Sequence, residues 1–163
     1  MHSEAHSWVS KYANDDTLNA VEFGSRDING SIQPLFPNAS WTGVDIAPGP
    51  RVDVVCDASV YEPPIPVDMV VCCEVFEHTA VWPRIVANMF KILASGGVAI
   101  FTCAGRGRLP HSAIDGLAVR DGEYYENVDE HTFKAVMTAV GFSNITVEWL
   151  ADAGDVRAFG RRP

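Results

Sequence analysis

Five short apolar runs, rich in β-branched residues, constrain this chain more than any other feature. They are NAVEFG (19–24), WTGVDI (41–46), VDVVCD with its core at 53–57, VDMVVCCEV (67–75) and GVAIFTCA (97–104). Each has the length and composition of a buried strand. Their apolarity is continuous rather than alternating, which points to a parallel sheet covered on both faces. Between the fourth and fifth runs, TAVWPRIVANMFKILASGG sets Ile85, Met89, Ile92 and Leu93 at helical spacing, with Pro83 near its start and Gly96 as its stop. A second helical stretch, NVDEHTFKAVMTAVGF, opens with Asn127 and Glu130 spaced as a capping box. It carries Phe133, Val136, Met137 and Val140 on one face and ends at Gly141. NITVEWLADAG and DVRAFGRR then read as a terminal hairpin about a turn at 152–155, and EAHSWVSKYA as a short N-terminal helix. The expected fold class is α/β: a doubly wound, mostly parallel sheet with a C-terminal antiparallel hairpin.

The chain has 163 residues, 47% of them hydrophobic and 20% charged. That suits one domain over 1–163, with an N-terminal segment at 1–18 and a long loop at 105–127 facing a substrate. A formal net charge of -9 disfavours nucleic acid, whose phosphates are bound largely through Lys and Arg. No basic segment followed by an apolar run opens the sequence and no stretch is long enough to span a bilayer, so a cytoplasmic location is expected. Cys56, Cys72, Cys73 and Cys103 fall within or beside apolar runs. They form no C-x-x-C pair and no Cys/His ligand spacing, so buried reduced thiols are expected, and no metal site.

Open α/β sheets bind ligands beyond the carboxyl ends of their strands. Four acids fall there: Glu22, Asp45, Asp57 and Glu74. Asp45 closes the second strand, where a carboxylate can accept hydrogen bonds from the vicinal hydroxyls of a ribose. Asp57 and its neighbouring backbone can meet an adenine amino group, so an adenosine is indicated. Gly24 allows close backbone approach, and Ser25, Asn29 and Ser31 supply polar contacts or cap a following helix. Glu22 and Asp27 together disfavour a pyrophosphate and suit a ligand that carries an ammonium and a second cationic centre.

VEFGSRDINGS, GVDIAPGPRVDVVCDA, VDMVVCCEVFEHT, KILASGGVAIFTCAG and HTFKAVMTAVGF, in this order, resemble the small class I S-adenosylmethionine-dependent methyltransferases that share an EVLEH-type motif after the fourth strand. The resemblance covers roughly residues 19 to 160 and implies a Rossmann-like fold, S-adenosylmethionine as cofactor and methyl transfer to a small-molecule acceptor. It implies cofactor contacts by Glu22, Gly24 and Ser25, by Asp45 and Ile46 at the ribose, by Asp57 and Ala58 at the adenine, and by Glu74 and Val75 beside the methionine part. Arg26 and Ile28 stand where the family's second and third glycines would be. The resemblance also places a His at position 78, as a general base or as packing for the next helix, and Glu77 as a charge at that helix start. Tyr124 and Tyr125 fall in the substrate-facing segment. Arg106, Arg108, His111 and Arg120 in the long loop either attract an anionic acceptor or are solvated. Two other readings stay open: a dinucleotide-dependent oxidoreductase, although G-x-G-x-x-G is absent, and a binding protein of the same fold without turnover. The acceptor atom and the oligomeric state are not legible in the sequence.

Overall fold

The computed structural model describes residues 3–163. Seven strands form one sheet in the order β3-β2-β1-β4-β5-β7-β6. These are β1 (Asn19–Phe23), β2 (Ser40–Asp45), β3 (Val54–Val55), β4 (Val67–Cys73), β5 (Leu93–Ala104), β6 (Ser143–Leu150) and β7 (Asp155–Arg161). The first five run parallel, while β7 is antiparallel to both β5 and β6, which makes the terminal hairpin. Strand order reverses beside β1, between its neighbours β2 and β4, so a crevice opens at the carboxyl ends there.

Alternate side chains of the central strands serve two cores, as a period of two requires. Val70 and Cys72 of β4, with Ala99, Phe101 and Cys103 of β5, face α2 (Trp82–Ile92) and α3 (Glu130–Val140). Phe133 of α3 meets Phe76, Trp82 and Phe101 edge-on, with ring centroids 5.3–5.6 Å apart. On the opposite face, Met69, Val71, Cys73 and Ile100 pack against α1 (Ser3–Ser10) and the segment holding Ile32 and Phe36. Trp8 of α1 is buried there, and its indole N–H donates to the Ala158 carbonyl at 3.2 Å.

Several boundaries differ from the sequence expectation. Helix α2 ends at Ile92 rather than Gly96, because Leu93 turns extended and pairs with Val67 at the start of β5. The cap of α3 is Asp129, not Asn127: the Asp129 carboxylate accepts from the Thr132 N–H at 2.8 Å, while Asn127 donates to the Arg108 carbonyl. Gly141 closes α3 at φ 111°, as expected. The hairpin turn occupies 151–154, and Asp155 already belongs to β7. The largest difference lies after β1, where Ser25, Asn29 and Ser31 cap no α-helix. Residues 24–39 hold one 3-10 turn, Gln33–Leu35. Pro34 fits the first turn of a helix, but Pro37 removes the next N–H that a longer helix would need.

Candidate functional site

A cavity of about 670 Å³ opens at the carboxyl ends of β1 to β4. All nine residues assigned above to cofactor contact line it: Glu22, Gly24 and Ser25 after β1, Asp45 and Ile46 after β2, Asp57 and Ala58 after β3, and Glu74 and Val75 after β4.

Backbone geometry shapes the β1 side. Gly24 takes φ 74°, and a Cβ there would stand 2.2 Å from Val75 Cγ2, so the chain crosses β4's exit only because this residue is glycine. From Gly24 onward the loop is tied to β2 and its exit. Gly24 N–H donates to the Val44 carbonyl, Arg26 N–H to Asp45 Oδ2 at 3.2 Å, Asp27 N–H to the Pro50 carbonyl and Gly30 N–H to Asp27 Oδ1. Arg26 lays its aliphatic stem against Gly49, where any Cβ would collide with it. This explains the absent glycines. In a nucleotide fingerprint the later glycines admit a pyrophosphate and a closely packed helix, and here no helix follows, so the loop is held by β2 instead.

Polar capacity is left over in this half. Ser25 is 3% exposed and its hydroxyl has no hydrogen-bond partner. Asp45 accepts from the N–H groups of Arg26 and Ala47, one on each oxygen, which leaves further lone pairs on both. Asp57 accepts from Ser59 N–H at 2.7 Å, and the buried Asn88 of α2 fixes that turn by donating to the carbonyls of Ala58 and Tyr61. Ile46 stands 79% exposed at the rim. Glu22 is 5% exposed and accepts from Gln33 Nε2 at 2.9 Å. Burial pushes its carboxyl up to about 7, against the opposing effects of Gln33 and Arg51.

The β4 side is built from side chains. Glu74 sits in the left-handed region at φ 58°, a costly position for a residue with a Cβ. Its carboxylate accepts from the Thr102 hydroxyl at 2.9 Å and faces the Arg108 guanidinium at 3.5 Å. Arg108 also pairs with the fully buried Asp155. Phe76–His78 form a 3-10 turn after Glu74, and His78 lines the cavity, half-buried. Burial, then the neighbouring His111, lowers its imidazole to about 4, so it is neutral at neutral pH.

Three expectations for this side are corrected. Glu77 is not a solvated charge at a helix start. It is fully buried, and both its carboxylate oxygens lack a partner in hydrogen-bond geometry. Burial first and Glu74 second push its acidity well above the usual carboxylate range, with partial compensation from the backbone of Glu77 and Ala104. Neither Tyr124 nor Tyr125 is among the residues that line the cavity: the Tyr124 hydroxyl donates to Glu126, whereas Tyr125 packs edge-on to both His78 and His111, at 5.5 and 5.0 Å. The loop arginines do not wait for an anion: Arg106 pairs with Glu130 and covers Trp149, Arg108 pairs with Asp155, and Arg120 pairs with Asp115.

The loop also delivers His111, Ser112 and Ile114 to the cavity. Sequence reasoning placed His111 only in a charged loop and missed that it meets Glu77 and His78. Nothing in the spacing signals that meeting, because it depends on how residues 105–129 fold back. Cys72, Cys73 and Cys103 are buried thiols whose acidity burial suppresses, as expected, while the half-buried Cys56 contributes to the cavity wall. No helix among the described residues is long and apolar enough to cross a membrane.

Residues 4–147 match a sequence family described as a methyltransferase domain. No curated protein matches the chain by sequence. Among solved structures, the N-methyltransferase NodS from Bradyrhizobium japonicum WM9, in complex with S-adenosyl-L-homocysteine, superimposes with a TM-score of 0.66 at 19% identity, over 98% of this chain and 86% of that one. The 1,6-didemethyltoxoflavin-N1-methyltransferase of Burkholderia thailandensis, with bound 1,6-didemethyltoxoflavin and S-adenosylhomocysteine, gives a TM-score of 0.69 at 14% identity, over 98% of this chain and 77% of that one. Phosphoethanolamine N-methyltransferase 2 of Haemonchus contortus gives 0.71 at 16% identity. The match covers 98% of this chain but 52% of that one, so the chain spans about half its length. At these identities the superpositions establish the shared Rossmann-like fold.

Proposed function

The chain belongs to the methyltransferase-domain family, and from that premise we propose that it transfers the methyl group of S-adenosylmethionine to a small-molecule acceptor bound at the β4 side of the cavity. The observation that carries this reading is the convergence of all nine expected contact residues on one cavity. In this reading Asp45 accepts hydrogen bonds from the ribose hydroxyls, the turn at Asp57 and Ala58 meets the adenine, and the Ser25 hydroxyl gains the partner it lacks. Glu22 faces the methionine ammonium, which favours its ionised form. Glu74 and Val75 border the sulfonium.

The sulfonium methyl is already activated. The protein therefore has to align a nucleophile behind it and keep water out, and a dedicated base is optional. His78, neutral at neutral pH, offers a lone pair at the acceptor end. The dinucleotide reading loses its support, because the loop after β1 leads into no helix N-terminus that could hold a pyrophosphate. Isothermal titration with S-adenosylmethionine, S-adenosylhomocysteine and NAD tests the assignment. Binding of the sulfur compounds and not of NAD is the expected result; binding of NAD alone overturns it. Binding without methyl transfer across a panel of oxygen, nitrogen, sulfur and carbon acceptors would favour a protein without turnover.

A further inference from the structure

Beside the cofactor-facing wall, one carboxylate oxygen of Glu77 and one ring nitrogen each of His78 and His111 lie within 4.8 Å of one another. Glu77 is fully buried and neither of its oxygens has a hydrogen-bond partner. The backbone of Glu77 and Ala104 and the charge of Arg108 compensate that burial only in part, and a buried carboxyl left with spare acceptor capacity is a place where an ion can bind. The histidines are also prepared. His111 Nδ1 lies 3.1 Å from the Leu109 carbonyl, which accepts its proton and leaves the lone pair on Nε2. A backbone carbonyl serves the second nitrogen of metal-bound histidines in just this way. Tyr125 stands edge-on to both rings, and its hydroxyl donates to the same Leu109 carbonyl, so one loop turn orients both aromatic partners of His78.

We propose that Glu77, His78 and His111 form a binding site for a single divalent first-row transition ion at the acceptor end of the cavity. Two imidazoles and a carboxylate suit zinc, cobalt, manganese or ferrous iron, and three protein ligands leave positions for an exogenous donor. His78 and His111 line the cavity while Glu77 lies behind it, so those positions face the cavity. Ligands about 2.1 Å from a tetrahedral ion stand roughly 3.4 Å apart. Side-chain rotation of about an ångström therefore closes the cluster. Glu74 and Asp155, against the single cation Arg108, leave the surroundings net negative, which favours a dication. An ion here would select acceptors that present an oxygen or nitrogen lone pair.

The test is titration of the metal-stripped full chain with Co2+, followed by its visible absorption, and with Zn2+ by calorimetry, on the wild type, His111→Ala and Glu77→Gln. Because His111 lies on a surface loop, its replacement leaves the core intact. One ion per chain is expected, with affinity at least about tenfold weaker in His111→Ala, since even outer-shell losses cost that much, and weaker also in Glu77→Gln. No uptake by the wild type, or unchanged affinity in His111→Ala, overturns the site. S-Adenosylhomocysteine binding, measured on the same samples, separates the two claims: its loss with ion uptake intact would sink the proposed function and leave the metal site standing.

Discussion

The two walls of the cavity are made by different means. On the β1–β2 wall, glycine conformation and backbone hydrogen bonds set the shape, and the carboxylates of Asp45 and Asp57 accept from neighbouring N–H groups with lone pairs to spare. On the β4 wall the backbone is strained at Glu74, and Glu77, His78, His111 and Tyr125 crowd together, with Glu77, His78 and Tyr125 displaced from their ordinary acidities. A wall of backbone donors and fixed acceptors suits one invariant ligand. A wall of perturbed side chains suits chemistry. In the proposed function the first wall takes the ribose and adenine while the second borders the sulfonium and takes the acceptor, and mutations on each should separate accordingly.

The largest effect is expected from Asp45→Ala. Losing two charge-assisted hydrogen bonds to a ribose costs at least about 3 kcal/mol, so S-adenosylhomocysteine affinity should fall more than about 100-fold by calorimetry while Co2+ uptake stays unchanged. Loss of both would break the separation. Glu22→Gln comes next. The folded Glu22 carboxyl lies at about 7, above its ordinary value of 4.5, so the native state binds more protons than the unfolded one between those values. Stability is therefore full below about 4.5 and falls as pH rises through about 7, by roughly 3 kcal/mol in all. Urea midpoints at about pH 5 and about pH 8 should show a fall that is smaller in Glu22→Gln than in the wild type by that contribution, the raised Glu77 acting alike in both. S-Adenosylmethionine affinity in the wild type should also weaken as pH drops below about 7, with proton release on binding, because Glu22 must ionise to meet an ammonium.

Gly24→Ala is smaller, about 2 kcal/mol of stability by thermal unfolding, from a left-handed backbone and a collision with Val75. It should also weaken cofactor binding, because the loop must shift. Smallest is the pair Tyr125→Phe and Tyr124→Phe. The first loses a 3.3 Å hydrogen bond to Leu109, worth under about 1 kcal/mol, and should raise the acceptor KM without touching cofactor affinity. The second, at the surface, should change neither.

The β1–β2 wall was readable in the sequence because parallel strands deliver their carboxyl ends to one edge. Reading strands at 19–24, 41–46, 53–57 and 67–75 therefore brought Gly24, Asp45, Asp57 and Glu74 to that edge. The rest of the β4 wall, at Glu77 and His111, was not. Glu77 sits one position before a pocket residue and is fully buried, so its burial depends on a turn whose path local pattern does not reveal. His111 arrives through a loop without periodicity. Tyr124 and Tyr125 were indistinguishable as a pair, and only Tyr125 packs against His78 and His111. The end of α2 was misplaced because the apolar run continues unbroken from Ile92 into β5, where helix and strand periods agree. The missing helix after β1 follows from Pro37, which removes an N–H that a helix begun at Gln33 would need.

A crystal structure with S-adenosylhomocysteine tests the division of the cavity most directly. The account predicts the ribose hydroxyls on Asp45, the adenine beside Asp57 and Ala58, and the sulfur facing Val75, with open volume continuing to His78, His111 and Tyr125. Adenosine density lying against His78 and His111, or outside the cavity altogether, would contradict it.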